Sequence, residues 1–467
     1  MSSTFSTQVS SYGTPLSPSN FQHDYPSPEL PYVSSSPAEK LAACPAASAA
    51  ATRIIAAAGQ ITSIVQKPFL FMSDASMVYT LPACLRLIEH LHVVEILREA
   101  EDERQRFLSE LPNNYPPLAH PLRLLSTHHI LRETAPDTFA LTRVVSLLDS
   151  GKNVADVFAK YKKYVDTSGI AAFVGLCTDE LFKSAAYLTE AFTGVQLPLA
   201  PPGSAATPLP AFNLAFNTPV PFFDGREPRK SFRLERFSQA MTGTSGWEAP
   251  GAILTGFDWL SLPRGSTIVD VGGGIGSTTM ILARAFGVSC EDLDMQFRFI
   301  VQDRPVVVGL GLAAWRAQCP EMLESGQVVF HDPTPYPAVY ILRVVLHDWP
   351  DARARHVLLN LRLASSPETR LIIADHVLPL ACKWTLDSVL AHLEGAHGTL
   401  APAPLLPNLG KASATPFSMD IMMHITFNGK ERTLRELCAL ALSSGWRIAR
   451  VTYSKGSHFG HLVCEPV

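Results

Sequence analysis

The stretch TIVDVGGGIGSTTMILARAF, residues 267–286, limits the fold more than any other part of the chain. An apolar, β-branched run leads into glycines at 272, 273, 274 and 276, and a helical pattern follows at once. Glycine lets the backbone approach a ligand and take positive φ. The helix that follows presents unpaired N–H groups to a carboxylate or phosphate. Downstream, the β-type runs FRFIVQD, GQVVFHD, AVYILRVVLH and TRLIIADHV alternate with the helical runs STTMILARAF, PVVVGLGLAAWRAQC and ARARHVLLNLRLAS. That alternation predicts a doubly wound α/β sheet of mostly parallel strands. Thr433-Leu434-Arg435-Glu436 reads as a capping box opening a helix that stops at Gly445. WRIARVTYS and HFGHLVCEPV then read as a closing antiparallel hairpin, and 397–416 as an irregular loop.

The glycine turn departs from the dinucleotide fingerprint. Counted from Gly272, G-x-G-x-x-G needs a glycine at 277, where Ser277 stands. This counts against a nicotinamide-dependent dehydrogenase. Asp303 closes the second strand of the series, where a carboxylate can accept both hydroxyls of a ribose. Asp332 closes the third and can face an adenine amino group. Either aspartate could instead be a helix cap, but together, at strand ends beside the glycine turn, they read as a nucleoside site. Carboxylates repel pyrophosphate, so a nucleoside without phosphates fits better. S-adenosylmethionine offers a ribose, an adenine, a carboxylate for the helix start and a sulfonium.

The second informative stretch is LRVVLHDWPD, 342–351. It puts His347 at the carboxyl end of the fourth strand, beside the crevice where open α/β sheets bind ligands. A histidine with a pKa near 6.5 suits a general base at neutral pH. A phenol, with a pKa of about 10, needs such a base before its oxygen attacks a methyl group. Acidic neighbours would hold the imidazole as one tautomer. Candidates are Asp375, at the end of the fifth strand, and Glu431 in NGKERT. A helix cap is the competing reading for Asp375, and a surface ion pair with Arg432 or Arg435 for Glu431. No metal ligand set is read.

Residues 1–40 are rich in Ser and Pro and predict a disordered tail. Residues 41–196 form a helical domain, with RETAPDTFALT as a short hairpin turning at Ala135-Pro136-Asp137. Helices plus hairpin outline a winged helix, here a packing or dimerisation module, since no basic stripe marks a recognition helix. LPLAPPGSAATPLP makes 197–211 a linker, and 212–467 the catalytic domain. The net charge of −4 argues against nucleic acid or an anionic membrane as partner. Eight scattered cysteines read as free thiols in a reducing compartment. The first twenty residues lack a signal-peptide pattern, and no uninterrupted apolar run is long enough to span a bilayer. A cytoplasmic protein is expected.

With these motifs in place, the sequence resembles the fungal branch of the plant-type (caffeic acid) O-methyltransferase family. The likeness covers nearly everything after residue 50. It rests on RLLSTHHILRETAPDTFALTR, AFNLAFNTPVPFF, RFSQAMTGTSGWEAPGAILTGFDWLSLP, VDVGGGIGS, VQDRP, LRVVLHDWPD and NGKERT. It implies a class I methyltransferase Rossmann-like sheet, S-adenosylmethionine as cofactor, and a homodimer joined through an N-terminal helical, winged-helix-like dimerisation domain. By the same likeness Gly272 and Gly274 lie beside the cofactor, Asp303 holds the ribose and Asp332 the adenine. Arg343 stands at a cofactor-contacting cation, and Ser245 touches the amino-acid end. Met241 faces the acceptor near the methyl group; Met422 and Met423, with His424, read as lining of the acceptor pocket or equally as plain core residues. His347 is the base, steered by Asp375 and Glu431. The implied acceptor is a hydroxyl of a phenolic or polyketide-derived small molecule. The alternative is a catalytically silent, cofactor-binding dimer with a regulatory or scaffold role. Two departures from the family pattern are a shortened HDPTPYPAVYIL, with Pro333 in place of an aromatic or Met, and a reduced winged-helix region around REAEDERQRFLSELPNNYPPLAH.

Overall fold

A computed structural model of the chain describes residues 25–102, 118–159, 163–194, 209–223, 228–244, 251–286, 295–330, 336–382, 390, 392–396, 401–453 and 459–467. The linker expected at 197–211 falls largely outside them, as does most of the reduced winged-helix stretch. The chain divides into two compact units, one of residues 1–50 with 87–163 and one of 51–86 with 164–467.

In the first unit, helices Val93–Asp102 and Ala119–Thr127 accompany a hairpin of β1 (Arg132–Ala135) and β2 (Thr138–Ala140). Asp137 takes φ +57° in the turn, as the Ala-Pro-Asp signal implied. Arg123 bridges Glu133 and Asp137 across that turn at 2.7 and 2.8 Å. The stretch expected to end the tail near residue 40 carries a helix, Pro37–Ala43. Ser36 caps it, Pro37 opens it, and Glu39 grips Arg143 through a two-pronged contact of 2.5 and 2.6 Å.

The second unit holds a seven-stranded sheet: β3 (Thr267–Val271), β4 (Arg298–Gln302), β5 (Val328–Phe330), β6 (Val339–Arg343), β7 (Arg370–His376), β8 (Trp446–Tyr453) and β9 (Phe459–Pro466). Their order across the sheet is β5-β4-β3-β6-β7-β9-β8. The first five are parallel, and β9 runs antiparallel to both β7 and β8. Both faces are covered, so the central strands are apolar on both sides. Val269, Ile300, Tyr340, Leu342, Leu371 and Ile373 pack on one face against Trp446. Ile268, Phe299, Ile341 and Ile372 pack on the other against Trp259 and Trp315. The expected capping box is present, with Thr433 and Glu436 satisfying each other's backbone at the start of helix Leu434–Leu442.

One expectation needs correcting. β6 stops at Arg343 and does not reach His347. Val344 takes φ +49°, a conformation hostile to a β-branched residue, and this breaks the strand. Helix Pro45–Val65 has 21 residues and an 18-residue window of mean hydropathy 1.2, so it is long and apolar enough to cross a membrane by length and composition only. It is not an uninterrupted apolar run, since Arg53 and interspersed Ser, Thr and Gln break it. Part of the helix meets the protein instead, where Gly59 abuts Lys411 and Gln60 donates to the Pro404 carbonyl at 2.9 Å.

Candidate active site

The strand order reverses between β3 and β6, because the chain builds outward to β5 and then crosses back. Such a reversal opens a crevice at the carboxyl ends of the strands. The glycine turn after β3, Asp303 after β4 and the His347 turn after β6 all lie there.

The glycine turn and Asp303 are joined directly. Gly274 donates its N–H to Asp303 Oδ2 at 2.8 Å, and Gly272 donates to the Gln302 carbonyl at 2.8 Å. Gly274 has φ +62° and, among the described residues, nothing within 4 Å of where a Cβ would sit, which leaves that side open for a ligand. These features suit a flat nucleoside whose hydroxyls seek a carboxylate. Behind the turn, Asp270 accepts from Thr279 Oγ1 at 2.7 Å, and burial pushes its carboxyl up to about 6. Sequence reasoning passed over Asp270; its one signal was a carboxylate inside the apolar run IVDVG. Arg343 closes β6 with its guanidinium 5.3 Å from the Phe459 ring centre, and its charge reaches Asp270. Ser245 and Asp332 lie outside the described residues.

His347 sits on a single 3-10 turn, Leu346–Asp348, and is 6% exposed. Arg432 holds that turn from behind, donating to the carbonyls of Leu346 and Trp349 at 2.9 and 2.8 Å and to Asp351 at 3.0 Å. Arg432 therefore pairs with Asp351, and Glu431 is left for the histidine. Glu431 is 2% exposed, with Oε1 2.7 Å from His347 Nδ1. Asp375, on β7, places Oδ1 3.9 Å from the same nitrogen. One imidazole nitrogen and one oxygen of each carboxylate lie within 4.8 Å of one another. With Nδ1–H donated to Glu431, Nε2 is the nitrogen left to accept a proton. Asp348, which the sequence offered only as a turn residue, sets Oδ1 3.7 Å from Nε2.

Burial disfavours a charged imidazole, but Glu431, Asp348 and Asp375 outweigh it and push His347 up to about 10. Burial raises Asp375 to about 7 and Asp348 to about 6, each opposed by the histidine.

Beside this cluster lies a packed group of aromatic and aliphatic side chains. Phe212 and Phe222 pack with Leu176 and Leu181, and Phe216, Phe223, Phe237, Phe427, Met241 and Met422 join them. The structure thus brings Met241 and Met422 together. Met423 is buried on the same helix, Ala414–Phe427, and is not part of that cluster. The phenylalanines went unnoticed in the sequence because they come from three separate segments.

Comparison with known proteins bears on the chemistry. Residues 210–447 match the O-methyltransferase domain family. An O-methyltransferase of Armillaria gallica is 36% identical over 460 residues, covering 95% of this chain and 94% of that protein. A protein named 4-O-methyltransferase 1, from Phanerochaete chrysosporium, is 35% identical over 441 residues, covering 91% and 90%. In fold, the chain resembles the structure of LepI in complex with S-adenosylmethionine, with a TM-score of 0.61 at 19% identity, covering 92% of this chain and all of that one. Likeness over nearly its whole length, together with the glycine turn and carboxylate at the crevice, makes this chain a member of the O-methyltransferase family, an enzyme that draws its methyl group from S-adenosylmethionine.

Proposed function

We propose that the protein methylates a hydroxyl of a phenolic or polyketide-derived small molecule, with His347 as general base. The observation that carries this is the 2.7 Å contact of His347 Nδ1 with buried Glu431, beside a cluster of aromatic side chains. Asp303 and the turn at Gly272 and Gly274 hold the nucleoside, with Asp332, Arg343 and Ser245 completing the cofactor's contacts. When bound, the cofactor supplies a methyl group on a positively charged sulfur, which leaves as a neutral thioether. Met241, Met422 and Met423 and the phenylalanines hold a flat acceptor and exclude water. His347 Nε2 takes the hydroxyl proton as the acceptor oxygen forms its bond to the methyl carbon. Glu431 and Asp375 keep the ring in the accepting tautomer and stabilise the imidazolium that results. Most of the rate comes from alignment of the two reactants.

The working unit is a homodimer. Helices Pro45–Val65 and Pro68–Met77 expose Ile54, Ile61, Ile64, Phe69 and Met72, an apolar surface that a second copy would cover.

The test is methyl transfer from labelled cofactor to a panel of phenols. His347→Ala should lower turnover at least ~100-fold while leaving S-adenosylhomocysteine affinity nearly unchanged. Turnover near the wild-type rate would remove His347 as the base. Cofactor binding without transfer to any acceptor would replace this reading with that of a silent binding protein.

A further inference from the structure

Arg304 follows the ribose-reading Asp303 and has no part in the chemistry described above. Its Nη1 donates to the Phe223 carbonyl at 2.8 Å, across 81 residues of sequence. The same guanidinium lies 4.9 Å from the centre of the Phe223 ring. Its Nε is 4.0 Å from Asp303 Oδ1, and its charge reaches Asp348. Phe223 in turn stacks on Phe427, with centroids 4.8 Å apart and planes 14° apart. Two residues beyond Phe427, Gly429 lies flat against the His347 carbonyl, and Lys430 N–H donates to that carbonyl at 2.9 Å. One line of contacts thus runs from the ribose carboxylate through Arg304, Phe223 and Phe427 to the backbone of the base.

We propose that Arg304 is a positioning residue that ties the wall segment Thr218–Phe223 of the acceptor site to the cofactor loop, so that seating the nucleoside firms that wall. The inference rests on the proposed acceptor site and deepens it. A planar cation suits the task because it donates to a carbonyl and stacks on a ring at once. The side chain is 52% exposed, so replacing it spares the core. A nucleoside held at Asp303 fixes the carboxylate beside Arg304, and a fixed carboxylate keeps the guanidinium on Phe223 more firmly. The coupling is reciprocal, as any linkage of two binding events must be.

The experiment is hydrogen–deuterium exchange of residues 209–223 with and without S-adenosylhomocysteine, with affinity measured in parallel by calorimetry. In the wild type the ligand should slow exchange of these amides by about fivefold. In Arg304→Ala that protection should vanish, while ligand affinity changes by less than about threefold. Arg304→Lys, which keeps charge and a donor but loses the flat plane, should restore part of it. For any acceptor that is turned over, Arg304→Ala should raise the acceptor KM by about tenfold and leave kcat within about twofold. No protection in the wild type, or equal protection in wild type and Arg304→Ala, overturns the proposal. The exchange measurement needs no methyl transfer, so its outcome is separate from that of the proposed reaction.

Discussion

At the scale of residues, the carboxylates that orient His347 also hold its proton. A base works only when unprotonated, so kcat/KM should rise with pH as the imidazolium is lost. Because the cluster pushes His347 up to about 10, that rise should lie well above the ordinary histidine range. Glu431→Gln removes the nearest negative charge and should move the limb to lower pH, while the maximal rate falls because the ring loses its orienting acceptor. A pH–rate profile of both proteins checks this, and an unmoved limb would separate Glu431 from the titration. Asp303→Ala should weaken S-adenosylhomocysteine by ~10- to 100-fold, the worth of a charged hydrogen bond, as measured by calorimetry. Glu431 illustrates what residue type and spacing cannot supply. NGKERT is equally compatible with a surface ion pair and with a buried acceptor, and only the route of Arg432 to Asp351 separates the two.

At the scale of elements, His347, the proposed base, is held by a junction. Helix Ala414–Phe427 ends with Asn428 in a left-handed turn, and Gly429 then passes the His347 turn at close quarters. A Cβ on Gly429 would sit 2.0 Å from the His347 carbonyl oxygen, where only backbone could yield. Gly429→Ala should therefore cost about 2 kcal/mol or more in denaturant unfolding, and lower turnover beyond what the lost stability explains. Turnover and stability both within error of wild type would show that the junction can relax. Element types were legible because the runs around 267–286 and 297–303 alternate at strand and helix periods. The end of β6 was not, since LRVVLH is uniformly β-like and the break at Val344 comes from tertiary contacts.

At the scale of the molecule, the exposed apolar side chains of Pro45–Val65 and Pro68–Met77 need an occupant. A homodimer predicts that Ile64→Glu with Phe69→Glu yields a monomer in sedimentation, from a wild type that sediments as a dimer. A wild type that sediments as a monomer would end that reading. The sheet itself places the site, since its reversal between β3 and β6 gathers the strand ends onto one crevice.

The sequence by itself determined the alternating α/β order, the glycine turn, the carboxylate at Asp303 and the capping box at Thr433, because local periodicity and backbone freedom set these over a few residues. Tertiary structure alone decided that Glu431 faces the imidazole, that Asp348 stands at Nε2, and that phenylalanines from three segments form one wall. Those outcomes depend on which strands become neighbours and which side chains share a buried space, and both are fixed by packing between segments far apart in the chain.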